Sequence, residues 1–170
     1  LGRCRCWCRR RQWRLRSKRR NRRLLQSVVE WYGVDPPAFT LMRPQGWETR
    51  FAAWVAMTEA SARFSWKQMN CGFLVADSAV AMGLPDPAAR FRNWTAARLR
   101  RLSAKGLLAA VPFPGIPVAQ ASRGDWLAYE GAEGPALAVC LGRQALGFHH
   151  ETQRLTRVRT LAARQAFRVE

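Results

Sequence analysis

The sequence predicts an α+β domain over residues 42–170, helices first and an antiparallel sheet afterwards. Apolar residues recur at helical spacing between Gly46 and Gly106. From Asp125 onward, short apolar runs alternate with turn residues at intervals of about 8–12 residues, as short strands do. Residues 1–41 share neither pattern and form a separate basic segment.

Charge draws the same boundary. The chain has 170 residues and a formal net charge of +18. Residues 1–41 hold twelve Lys and Arg against Glu30 and Asp35, and residues 42–170 hold seventeen against nine. The length suffices for one domain with a real core. No apolar run approaches the roughly 18 residues of a membrane span, so none is expected.

Residues 1–23 have almost nothing to bury and are expected to be disordered. Met42 opens the well-patterned part, so 1–41 are expected to be a non-native or disordered extension, with a short helix over 24–32. An arm of arginines with Trp7 and Trp13 suits nucleic acid, through phosphate contacts and stacking. Cys4, Cys6 and Cys8 are soft-metal ligands by type. They face alternate ways in an extended chain and have no fourth ligand nearby, so no metal or cofactor is expected. Cys71 and Cys140 are expected to be free thiols in a reducing compartment.

The body reads element by element. Trp47, Phe51, Trp54, Val55 and Thr58 mark an amphipathic helix over 46–60. Asn70 is a good N-cap for a second helix that opens with Cys71 and runs to Met82, with Gly83 as its stop. A thiol at a helix N-terminus faces the positive end of the macrodipole, which favours the thiolate. A buried structural cysteine has the same sequence signature. Asp86 caps a turn over 87–91, and Thr95 caps a third helix that carries Leu99, Leu102 and Lys105 to Gly106. Residues 111–117 are a Pro-rich loop. Strands are expected over 125–130, 135–142, 145–150, 154–161 and 166–169, joined as a meander.

Several stretches resemble one family. They are Met42-Arg-Pro-Gln-Gly-Trp-Glu-Thr-Arg-Phe, Phe64-Ser-Trp, Asn70-Cys71-Gly-Phe-Leu-Val-Ala-Asp77, Arg123-Gly124-Asp125, Gly134-Pro135-Ala136-Leu137-Ala138-Val139 and Gln165-Ala166-Phe167-Arg168-Val169. In order and spacing they resemble a small group of phage and prophage proteins. That group looks like an offshoot of the NlpC-type, papain-like cell-wall peptidases encoded among tail-assembly genes. The resemblance covers 42–170. It implies a cysteine helix packed on a small antiparallel sheet, with tail proteins or peptidoglycan peptides as partners. The implied location is the bacterial cytoplasm during assembly, or the virion tail.

In active NlpC-type enzymes Asp-Cys opens the central helix, a strand His is the base, and a third polar residue orients it. Cys71 matches the nucleophile, and Asn70 replaces the Asp. The His position falls near Ala136, where there is no His. Alanine cannot protonate a leaving amine, and loss of a triad member removes orders of magnitude in rate. The resemblance therefore implies a degenerate cysteine peptidase. An active cell-wall hydrolase would have to recruit His149 or His150, and adjacent strand residues face opposite sides, so at most one would serve.

A different class also fits. The helix over 95–105, from cap Thr95 to Lys105, exposes Arg98, Arg100 and Arg101 and resembles a DNA-recognition helix, with 118–129 as its wing. Asp77 is expected to be solvated or to face the helix N-terminus rather than to be catalytic, Cys140 to be core packing, and most of Trp47, Trp54, Trp66, Trp94 and Trp126 to lie in the core.

Overall fold

The computed structural model describes residues 42–131, 134–149 and 151–170. The expectations for 1–41 lie outside the described residues.

The helical layer begins with α1, Trp47–Ser61. Gly46 enters it at φ 73°, a left-handed conformation that glycine adopts without penalty. Phe51, Trp54, Val55 and Thr58 form its buried stripe, with Phe51 and Trp54 stacked at 5.8 Å. The second helix, α2, is Cys71–Ala81. Asn70 caps it by accepting from the Phe73 amide at 3.0 Å, and its side-chain nitrogen donates to the Trp66 carbonyl at 2.9 Å. Phe73, Leu74, Val75, Ala76, Ser78 and Ala79 are all buried, so α2 is covered almost all round, as a central helix must be. Gly83, at φ 92°, ends the chain's helical course there. Arg50 of α1 reaches across to the Met82 carbonyl at 3.1 Å.

Asp86 accepts from the Ala88 amide at 2.8 Å and opens a 3-10 turn at Ala89–Phe91. Arg92 bonds Asp86 at 2.9 Å and also Asp77, which clasps this connection to α2. The third helix, α3, is Ala96–Gly106, capped by Thr95. Leu99 and Leu102 are buried, whereas Arg98, Arg100 and Arg101 face solvent.

Six antiparallel strands follow: β1 Gly115–Ile116, β2 Trp126–Gly131, β3 Gly134–Cys140, β4 Gln144–Phe148, β5 Leu155–Arg159 and β6 Gln165–Phe167. Their order is β1-β6-β2-β3-β4-β5. The meander holds for β2 to β5 and fails at the end, because β6 returns to pair with β2. A two-residue strand, β1, also arises inside the Pro-rich loop and pairs with β6. Neither feature leaves a periodic signal, since β1 is too short and the partner of β6 is a tertiary choice.

Strand alternation sorts the sheet into two faces. Trp126, Ala128, Leu137, Val139, Leu146 and Phe167 join the helices in the main core. Leu127, Ala138, Cys140, Ala145 and Ala166 form a second cluster on the other face, with Tyr129, Val158 and Ala163 against it. Burying each large aliphatic side chain contributes about 1.5–3 kcal/mol, so the main core holds α2 on the sheet.

Candidate functional site

Cys71 is the first residue of α2 and is half-buried against the main core. Its position follows from two local causes: the Asn70 cap fixes where the helix starts, and the buried stripe of α2 fixes which way it faces. Leu137 of β3 stands opposite. Its amide, with those of Gly72 and Cys71 itself, favours the thiolate, but burial outweighs all three and pushes the thiol pKa up. The sequence left both outcomes open, a thiol activated at a helix terminus and a buried structural cysteine. A helix terminus supplies partial charges only, whereas desolvation acts on the whole thiolate. Among the described residues, no imidazole contributes to this balance.

The register of the sheet sorts the residues around the expected base position onto its two faces. Ala136 pairs with Tyr129, which packs on the second face. Leu137 pairs with Ala128, and both face the helices. Leu137 is therefore the β3 side chain that packs toward Cys71 in the core, and Ala136 borders the same cleft as Cys71. A one-residue shift in a strand reverses the face.

Two open spaces meet at Cys71. A cleft of about 500 Å³ is bordered by Phe64, Trp66, Arg100, Pro135, Phe148 and His149, with Cys71 and Ser103 among its walls. An apolar cavity of about 50 Å³ lies behind it, and Trp66, Cys71 and Ser103 border both. The cleft is aromatic on one side. Phe64 meets Trp66 edge-on at 5.3 Å and Phe148 at 5.4 Å. The Arg100 guanidinium lies over Trp66, 5.3 Å from its centroid. The cleft thus offers aromatic faces, with Arg100 and Glu151 as charged residues on its border.

His149 follows β4 and borders the same cleft as Cys71. Its Nδ1 accepts from the Thr152 amide at 3.4 Å, and its own amide donates to the Arg154 carbonyl at 2.9 Å. His150 lies outside the described residues. Asp77 is occupied by Arg92, and burial raises its pKa against that pairing. Cys140 is fully buried on the second face, near Thr160 and the Gly142 carbonyl. Its thiol pKa is also pushed up by burial.

The wing expected over 118–129 is not formed. Residues Val118–Gln120 make a 3-10 turn, and β2 lies inside the sheet between β6 and β3. The basic face of α3 is present, with Arg98 stacked over Trp94 at 3.6 Å. Trp54 and Trp126 are core residues; Trp47, Trp66 and Trp94 are half-buried. Among the described residues, no cluster of His, Cys, Asp and Glu could hold a metal, and no helix is long and apolar enough to cross a membrane.

Sequence reasoning missed Arg100, Ser103 and Phe148 as companions of Cys71. They come from α3 and β4, so no spacing in the sequence links them to it. Phe64 and Trp66, a few residues before Cys71, were likewise not read as its companions.

Fold and site together define an α+β protein with a half-buried cysteine between a central helix and a sheet. The chain belongs to the family described as Domain of unknown function (DUF6950), which matches residues 42–169. No curated protein matches the chain.

Proposed function

We propose that this is an NlpC-like protein of phage tail assembly that has kept a cysteine-peptidase architecture without its base. It would act in the bacterial cytoplasm during assembly or in the virion tail, and hold a peptide segment of a tail protein or of peptidoglycan in the cleft over Cys71. One observation carries this reading: Cys71 opens the central helix against β3, yet meets Leu137 there and has its thiol pKa raised. A protonated thiol facing a leucine is a poor nucleophile with no proton relay. The tail setting rests on the resemblance of the motifs in 42–170.

A specific observation favours a second reading. His149 borders the cleft that Cys71 borders, so an active cell-wall hydrolase would draw its base from there. The rate of Cys71 alkylation against pH separates the two. Trypsin releases Cys71 alone on the 68–90 peptide, so the full chain can be used with mass spectrometry. An inflection above the free-thiol value of about 8.5, unchanged in His149→Ala, supports the degenerate site. An inflection below it, lost in His149→Ala, supports the hydrolase and refutes the first reading.

A further inference from the structure

One stretch of the domain carries positive charge with no negative charge beside it in sequence. From Pro87 to Gly124 there are seven Lys and Arg and no Asp or Glu. Arg92 is neutralised by Asp77 and Asp86. Among the described residues, no carboxylate pairs with Arg90, Arg98, Arg100 or Arg101. All four are exposed. Arg98 and Arg101 are three residues apart on α3, so they sit one above the other on the helix surface. Two stacked cations repel each other, and an anion lying along them removes that repulsion.

Aromatic rings are built into the same surface. The Arg90 guanidinium lies over Phe91, 4.6 Å from its centroid. Phe91 meets Trp94 edge-on at 4.9 Å, and Arg98 lies over Trp94 at 3.6 Å. Arg90, Phe91, Trp94 and Arg98 therefore form an unbroken row of contacts, with Arg101 one helical turn beyond. Trp94 is half-buried, so part of the indole still meets solvent. A guanidinium resting on a ring keeps its N–H edge for phosphate oxygens, and its planar face stacks on a base as an aromatic does.

The chemistry of the row selects among anions. An acidic peptide needs positive charge and has no use for the rings. Duplex DNA needs a second element beside the recognition helix, and residues Val118–Gln120 make a 3-10 turn where a wing would begin. Single-stranded nucleic acid uses both features present, a basic track and rings between the charges.

We propose that the surface over residues 90–101 is a binding track for single-stranded nucleic acid. Arg90, Arg98 and Arg101 take the phosphates, and a base stacks at the Trp94–Arg98 pair. Those four residues are not on the border of the Cys71 cleft, so the track is independent of what that cleft holds.

The test uses the full chain and single-stranded oligothymidylate, with iodouracil in place of some thymines for photocrosslinking. Trypsin releases Trp94 on the 93–98 peptide, and the crosslink is expected there by mass spectrometry. Binding is followed by fluorescence anisotropy over a range of salt. The pair Arg98→Gln and Arg101→Gln should weaken binding about tenfold or more. It should also lower the salt slope by about 1.4, since each lost phosphate contact on a single strand is worth about 0.7. The pair Arg143→Gln and Arg159→Gln removes the same charge from exposed positions at β4 and β5. It should change the affinity less than about twofold, because distant exposed charges are screened. Arg98→Lys keeps the charge and loses the flat stack, so it should hold the salt slope while the Trp94 crosslink falls.

Equal losses in the two glutamine pairs overturn the track, because net charge alone would then account for binding. Crosslinks confined to residues 1–41 overturn it in favour of the basic segment there. Duplex bound as tightly as the single strand removes the stacking. Polyglutamate displacing the oligonucleotide as well as unlabelled oligothymidylate does overturns it in favour of an acidic protein partner.

Discussion

Arg43 and Asp125, 82 residues apart, form a buried ion pair in which Nη2 lies 2.6 Å from Oδ1. Asp125 is fully buried and saturated: it also accepts from the Val169 amide at 3.2 Å and from the amide and hydroxyl of Ser122 at 2.8 and 3.1 Å. Arg43 donates in addition to the carbonyls of Val169 and Arg123, each at 2.6 Å. One carboxylate thereby joins the start of the domain, the turn into β2 and the C-terminal end that follows β6. Asp125→Ala leaves the Arg43 guanidinium without its anion and three donors without an acceptor. Breaking a buried pair in this way costs about 3–5 kcal/mol, so urea unfolding should show most of the domain's stability lost. A change under about 1 kcal/mol would mean that the pair behaves as a surface contact.

The register of β3 makes a paired prediction. Leu137→His places an imidazole against Cys71, where an adjacent base lowers a thiol pKa. Ala136→His places it on the second face beside Tyr129. Cys71 alkylation at neutral pH should accelerate more in Leu137→His than in Ala136→His. The reverse order would show that β3 is one residue out of the register described.

The cysteines predict a pH dependence of stability. Burial raises the folded-state pKa of Cys71 and of Cys140. Above the unfolded thiol value of about 8.5, the unfolded chain loses protons that the folded chain keeps. The unfolded state then binds fewer protons, and stability falls as pH rises. Unfolding midpoints should be level from pH 7 to about 8 and decline above that, and the decline should shrink in Cys140→Ser. A midpoint that rises over the same interval would contradict the burial of both thiols.

Asn70 has two roles, as cap to Phe73 and as donor to the Trp66 carbonyl. Asn70→Ala should destabilise by about 1–2 kcal/mol, the upper range for a lost cap. Asn70→Asp retains the cap acceptor but cannot donate to Trp66. It should recover the helix, seen by circular dichroism, while the Trp66 side of the cleft loosens in hydrogen exchange.

Local rules were legible because their partners are neighbours in sequence. Asn70, Asp86 and Thr95 cap turns within three residues of themselves, and the stripe of α1 is a repeat of three and four. Those features gave the α+β class, the start of the cysteine helix and four of the strands as a meander. The sequence also showed that no histidine lies beside the apolar run of β3.

The fold alone decided what depends on distant partners. β6 pairs with β2 rather than β5, because the Asp125 network draws residues 168 and 169 back across the sheet. Leu137 packs toward the helices and Cys71, and Ala136 reaches only the cleft's edge, because pairing with β2 sets the face. The Cys71 thiol pKa is raised, because burial is a property of everything packed around it and exceeds what one helix terminus supplies. Caps and periodicity act over one or two turns and can be read along a chain. Faces, cavities and desolvation come from surfaces that meet only when the chain has folded.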